Sequence, residues 1–204
     1  PIPGLKPQFE GFRILHVSDI HVGTWISQSQ LQDVVDLVNA QDADLIVHTG
    51  DFVGVQKTRS FYHAWREARR NGTAIHSPEA ERLFSTSIPA VAKMQAKFGA
   101  ITVLGNHEHW VDADVARQYL KEYNIRLLEN SSELITIDGV SINFAGVGDL
   151  WEGEQDLVKA FAGTPRASAA PRIVLSHNPD FADDPQVPKN KVSFMLSGHT
   201  HGGQ

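Results

Sequence analysis

The run Phe12-Arg13-Ile14-Leu15-His16-Val17-Ser18-Asp19-Ile20-His21 decides the fold. A short apolar stretch that stops abruptly at an acid and an imidazole reads as a strand covered on both faces, with polar chemistry at its C-terminal end. The same grammar recurs along the chain. Ala43-Asp44-Leu45-Ile46-Val47-His48 ends at Thr49-Gly50-Asp51, and Ala100-Ile101-Thr102-Val103-Leu104 ends at Gly105-Asn106-His107. Arg172-Ile173-Val174-Leu175 ends at Ser176-His177, and Val192-Ser193-Phe194-Met195-Leu196 ends at Ser197-Gly198-His199.

Helical patterns separate these runs. Leu31, Val34, Val35 and Val38 fall at helical spacing after a capping-box pair, Ser29 with Gln32. Val115, Tyr119, Leu120 and Tyr123 do the same after Asp112. Segment 133–147 alternates instead, and Asp138-Gly139 in its middle predicts a hairpin. The plan is a layered α/β fold with one antiparallel hairpin, read as a single domain over 1–204. Residues 55–98 form an insertion with Arg59, Arg66, Arg69 and Arg70 among Phe61, Tyr62 and Trp65, followed by a helix expected from Pro78 to Phe98. Lying after a strand end, it is placed either to shape a substrate pocket or to form a solvated helical pair.

Composition narrows the function classes. The 204 residues carry 18 Lys+Arg against 24 Asp+Glu, a net charge of -6, ten His and no Cys. The absence of cysteine excludes disulfides, thiolate zinc sites and a cysteine nucleophile. The acidic balance speaks against a stable nucleic-acid partner. No apolar run approaches the roughly 20 residues that span a bilayer. The chain begins with proline and shows no signal-peptide pattern, so its N-terminus is expected to be trimmed. Compartment and oligomeric state stay open.

Strand after strand ends in a metal-type ligand: Asp19 and His21, Asp51, Asn106 and His107, His177, then His199 and His201. Singly, each has a plain reading as a turn residue, a cap or a structural histidine. Jointly, the C-terminal ends of parallel strands converge on one edge, where such residues meet. Oxygen and imidazole donors without thiolate suit Mn, Fe, Zn, Co or Ni. The set is too large for one ion but suits two ions sharing a carboxylate.

Ser18-Asp19-Ile20-His21, Gly50-Asp51, Gly105-Asn106-His107-Glu108, Ser176-His177 and Gly198-His199-Thr200-His201 together resemble the motif set of the calcineurin-like metallophosphoesterases, in the family's order and over nearly the whole chain. Gly202-Gly203-Gln204 and Ala145-Gly146-Val147-Gly148-Asp149-Leu150-Trp151 resemble its bacterial branch of membrane-associated phosphodiesterases and UDP-diacylglucosamine pyrophosphatases. The resemblance implies a four-layer α/β/β/α sandwich with mixed sheets. Family members continue beyond the last motif, so this chain is expected to lack the C-terminal strands. It implies two divalent ions, manganese first, with Asp19, His21 and His201 on one, Asn106, His177 and His199 on the other, and Asp51 bridging. It also implies a metal-activated hydroxide as nucleophile and His107 as the catalytic group facing the phosphoryl. The reaction expected is hydrolysis of a phosphodiester or pyrophosphate bond. The alternatives are a phosphomonoesterase, protein phosphatase activity included, and a scaffold without chemistry.

One departure stands out. The third residue after the bridging aspartate is often Asp in the family, or Tyr in purple acid phosphatases, and here it is Gly54. A purple Fe(III) centre is therefore not expected, and His107 needs another partner, with Glu108 and Asp149 as candidates. His109, Trp110 and Trp151 are placed to line the pocket, and Trp25 and Trp151 to touch an apolar or nucleobase part of a substrate. His16 and His48 sit inside strands, where alternation turns them under the helices. The expected partner is a small or lipid-linked phosphate ester, and Arg59–Arg70 offers a weak signal of peripheral membrane contact.

Overall fold

The computed structural model describes residues 2, 4–55, 63, 66–68, 70–71, 78–164 and 170–203. In chain order its main elements are β1 (Ile14–Val17), α1 (Gln28–Asn39), β2 (Leu45–His48), α2 (Pro78–Val91), β3 (Ala100–Thr102), α3 (Asn106–Val111), α4 (Ala113–Glu122), β4 (Arg126–Leu127), β5 (Ser131–Ile137), β6 (Val140–Gly146), α5 (Leu157–Ala160), β7 (Arg172–Ser176), α6 (Gln186–Lys189) and β8 (Phe194–Ser197). Two sheets form. The first has the order β1-β2-β3-β4 and is parallel throughout. The second has the order β5-β6-β7-β8, with β5 antiparallel to β6 and the rest parallel. The β5–β6 turn is Asp138-Gly139, both at positive φ, as a two-residue hairpin requires.

Strand alternation sorts the apolar residues into three layers. Leu45 and Val47 of β2 pack between the sheets against Phe144, Ile173 and Leu175, while Ile46 faces Leu31, Phe84 and Leu120 of the helices. On the far side, Val174 and Ala145 meet Leu157 and Phe181. The result is an α/β/β/α sandwich, and the continuous apolar runs are explained by burial of both strand faces. Among the described residues, no helix is long and apolar enough to cross a membrane.

Local details depart from the sequence reading. The capping box of α1 uses Ser27 and Gln30, not Ser29 and Gln32. Both pairs have the right spacing, but Gln28 already begins the helix. Helix α2 ends at Val91 rather than Phe98. Asn39 captures the chain just beyond it, accepting from Gln95 N (2.7 Å) and donating to Lys93 O (3.1 Å), so those groups leave the helical ladder. Arg59, Phe61, Tyr62, Trp65 and Arg69, on which much of the insertion and membrane reading rests, lie outside the described residues.

Candidate metal centre

The two sheets present their C-terminal strand ends to one another. Asp19 and Asp51 follow β1 and β2, Asn106 opens α3 after β3, His177 follows β7, and His199 and His201 follow β8. Backbone pairing continues past the first two strands: Asp19 N donates to Gly50 O and His21 N to Asp51 O, both at 3.1 Å. The sheets are then tied at the site itself. His199 N donates to both Asp19 carboxylate oxygens (3.0 and 2.9 Å), and His177 Nδ1 donates to Thr49 O (2.6 Å).

These contacts fix which atoms face inward. His177 gives its Nδ1–H to a carbonyl and His21 does the same toward Val53 O (3.3 Å), so each aims Nε2 into the cluster. His21 Nε2 lies 3.0 Å from His201 Nε2, and His177 Nε2 lies 3.1 Å from both His199 Nδ1 and Asn106 Oδ1. Asp51 Oδ2 is 3.5 Å from His21, 3.4 Å from His177 and 4.0 Å from His107. Three overlapping sets of donors result: Asp19, His21 and His201; His21, Asp51 and His107; Asp51, His177 and His199. Asp51 belongs to two of them. Lone pairs crowded this closely repel unless positive charge sits among them, so the donor set fits cations.

The electrostatics point the same way. Burial works against the charged form of both Asp51 and His177, yet their mutual attraction prevails. The Asp51 carboxylate is lowered to about 2 and the His177 imidazole is raised to about 9. A proton held on His177 stands where a cation would compete. Burial lowers His21 and His199.

The backbone bears the cost of this convergence. Asp19, His21, Asp51, His199 and His201 all have left-handed φ, between 48° and 68°. Such conformations persist where surrounding contacts over-determine them. The glycines are part of that determination. A Cβ on Gly105 would meet Asp51 N and His177 Cε1, each at 2.8 Å, and one on Gly50 would meet Gly105 Cα at 2.7 Å. A Cβ on Gly54 would press on the Thr24 side chain and meet His21 O at 2.9 Å, so an aspartate here would force that backbone to shift.

Neither candidate partner of His107 takes that role. Glu108, fully buried, turns its carboxylate onto Asp51 N (2.8 Å), Phe52 N (2.8 Å), Val53 N (3.3 Å) and Gly105 N (2.9 Å). It clamps two ligand-bearing loops together. Burial and the Asp51 charge push its pKa up to about 8, against four donors that favour the anion. Asp149 Oδ1 caps its own turn, accepting from Trp151 N and Glu152 N. His107 N donates to Asp51 Oδ1 (3.0 Å). Sequence reading missed the Glu108 clamp, because Gly105-Asn106-His107-Glu108 does not announce that it opens a helix whose third residue reaches back.

The remaining residues divide. Trp25, Trp110 and Trp151 line a cavity of about 650 Å³ with His107, Asp51 and Thr24, whereas His109 does not line it. His48 is buried and stacks on Phe52 with ring centroids 4.0 Å apart. His16 is exposed, a correction to its expected packing under a helix: it pairs with Val47, whose side chain faces the second sheet, so alternation turns it away from the helices, at the edge of its sheet. It donates to Thr49 Oγ1 (2.8 Å), Thr49 to Ser18 (2.6 Å), and Ser18 to Asp19 Oδ2 (2.5 Å).

The calcineurin-like phosphoesterase family model matches residues 12–203. The uncharacterized metallophosphoesterase YkuE of Bacillus subtilis (strain 168) is 29% identical over 201 residues, covering 96% of this chain and 60% of that protein. Phosphodiesterase YaeI of Escherichia coli (strain K12) is 29% identical over 202 residues, covering 95% of this chain and 62% of that protein. The chain thus spans about three-fifths of the length of these two relatives. The Haemophilus influenzae NAD nucleotidase structure superposes with a TM-score of 0.55 at 15% identity, covering 93% of this chain and 38% of that one, a likeness of fold.

Proposed function

The chain belongs to the calcineurin-like phosphoesterase family, and from that premise we propose that it hydrolyses a phosphodiester or pyrophosphate bond with two divalent metal ions, manganese first among them. The observation that carries the reading is the place of Asp51 Oδ2, 3.5 Å from His21 Nε2 and 3.4 Å from His177 Nε2, one residue of each proposed ligand set. Asp19, His21 and His201 would hold one ion, Asn106, His177 and His199 the other, with Asp51 between them. Two ions held there would supply positive charge to the phosphoryl oxygens and would lower the pKa of a bound water. The name of the YaeI relative favours a diester.

The chain's own residues prepare the site. Glu108 holds the loops after β2 and β3 in register through four backbone N–H groups, so Asp51 and Asn106 cannot drift apart. The His199 N–H pins Asp19 in place. His107 lines the cavity beside Asp51. From there it donates a hydrogen bond to a phosphoryl oxygen and a proton to the leaving oxygen.

The test is hydrolysis of bis(p-nitrophenyl) phosphate by chelator-stripped protein, with and without Mn²⁺, beside His199→Ala. The proposal expects turnover only with metal, loss in the variant, and slower turnover of the monoester p-nitrophenyl phosphate. Undiminished hydrolysis in chelator, or in His199→Ala, contradicts it.

A further inference from the structure

The cavity above the donor cluster has two unlike parts. Its polar lining is the cluster itself plus Thr24, and the rest is Trp25, Val55, Trp110 and Trp151. Two of the indoles are costly to leave in water: Trp25 is 75% exposed and Trp151 50% exposed. Their main chain is nonetheless held. The Trp25 backbone N–H donates to His21 O (3.2 Å), so the residue sits beside a proposed ligand. The Trp151 N–H is held by Asp149 and the Trp110 indole N–H donates to Glu152 (3.2 Å). Trp110 and Trp151 lie within 12° of parallel, with ring centroids 6.4 Å apart. Trp110 contacts the His107 ring at 4.9 Å, and Trp151 meets the His199 ring edge-on at 4.7 Å. The flat faces therefore start directly at the residues that would handle the phosphoryl group.

Resting on the phosphodiesterase reading, we propose that this tryptophan rim is the specificity site, and that the substrate is a phosphodiester carrying a planar aromatic ring, a nucleobase or an aryl group, stacked on Trp25 or on the Trp110–Trp151 face. The parallel Trp110 and Trp151 indoles offer a plane to a ring, whereas a flexible acyl chain gains no more from parallel faces than from any apolar wall. Apolar lining beyond the cluster also disfavours a second charge there, which suits a diester's single negative charge.

The probes are three symmetric diesters: diphenyl, dicyclohexyl and dimethyl phosphate. Dicyclohexyl phosphate matches the phenyl compound in size and exceeds it in hydrophobicity, but has no flat face. Their dissociation constants are measured by calorimetry on the Mn²⁺-loaded protein, so the readout does not need turnover. The expected result is diphenyl phosphate about tenfold tighter than dicyclohexyl phosphate. Trp25→Ala or Trp151→Ala should weaken diphenyl phosphate about tenfold and dimethyl phosphate far less, with the Phe variants keeping most of the preference. Equal or tighter binding of dicyclohexyl phosphate, or Ala variants that bind all three alike, overturns the proposal. If diphenyl phosphate binds with this Trp dependence but no diester is hydrolysed, the hydrolytic reading fails and the rim assignment stands.

Discussion

The floor and the rim of the cavity are built by opposite rules. On the floor, Asp51, Asn106, Glu108 and His177 are buried, Asp51, Glu108 and His177 are held by backbone hydrogen bonds, and Gly50 and Gly105 are packed too closely to admit a Cβ. On the rim, Trp25 stands 75% exposed and Trp151 50% exposed, with Trp151 resting on Trp110 and the His199 ring. A buried donor cluster is over-determined by the chain around it, so changing one atom costs both stability and function. An exposed aromatic contributes little to folding, so its identity is free to follow a ligand. The comparison predicts that floor and rim variants separate cleanly on stability.

The largest effect is expected at Asp51. Asp51→Asn keeps the shape but removes the shared charge, and hydrolysis of bis(p-nitrophenyl) phosphate should fall by about 10³-fold or more, with loss of bound Mn²⁺ measured by elemental analysis. An Asn variant that keeps both metal and turnover breaks the account of the floor. Glu108→Ala is next. It leaves four buried N–H groups without their acceptor, each costing about 1–3 kcal/mol when unsatisfied and unhydrated, so urea unfolding should show a loss of several kcal/mol. Mn²⁺ affinity should drop about 10–100-fold in the same protein, as expected of a residue that orients ligands. Gly105→Ala should cost about 1–3 kcal/mol, since the backbone of Asp51 must shift to admit the methyl group. Trp25→Ala marks the other extreme, with unfolding free energy within about 0.5 kcal/mol of the parent chain. A Trp25 variant that unfolds as readily as Gly105→Ala would erase the distinction.

The smallest effect concerns pH in the metal-stripped protein. His177 is raised from 6.5 to about 9 by Asp51, so its contribution is fully present below pH 6.5 and is lost as pH rises through about 9. Glu108, raised from 4.5 to about 8, also weakens the fold as pH climbs across that interval. Both signs agree, and the Tm of stripped protein should fall between pH 6.5 and 9. Saturating Mn²⁺ should flatten the slope, because the ion takes the place of the His177 proton. A Tm that rises over this range contradicts the assignment of charge to His177.

The same contrast explains what the sequence made legible. β2, β3 and β7 announced themselves because burial on both faces leaves uninterrupted apolar runs, the partly buried edge strands β1 and β8 carry similar runs, and each run stops where a ligand must turn into the site. The hairpin was readable from Asp138-Gly139, because few residue pairs tolerate two positive φ angles in succession. β4 was not, since Arg126-Leu127 is two residues long and owes its strand character to β3 beside it. The capping box of α1 was displaced by two residues because Ser27 and Ser29 each precede a glutamine by three, and only packing chooses between them. His16 and His48 looked alike in sequence but point to opposite faces, since the register pairs His16 with Val47 and His48 with Val17. Glu108 hid in plain view: its role depends on backbone N–H groups more than fifty residues upstream, which no local pattern encodes.

The central claim is that the donor cluster is a two-ion centre organised around Asp51. Titration of chelator-stripped protein with Mn²⁺ by calorimetry tests it most directly. The account predicts two ions per chain, and loss of that stoichiometry in Asp51→Asn. A folded parent chain that binds one ion or none, or an Asp51→Asn chain that still binds two with unchanged affinity, contradicts it.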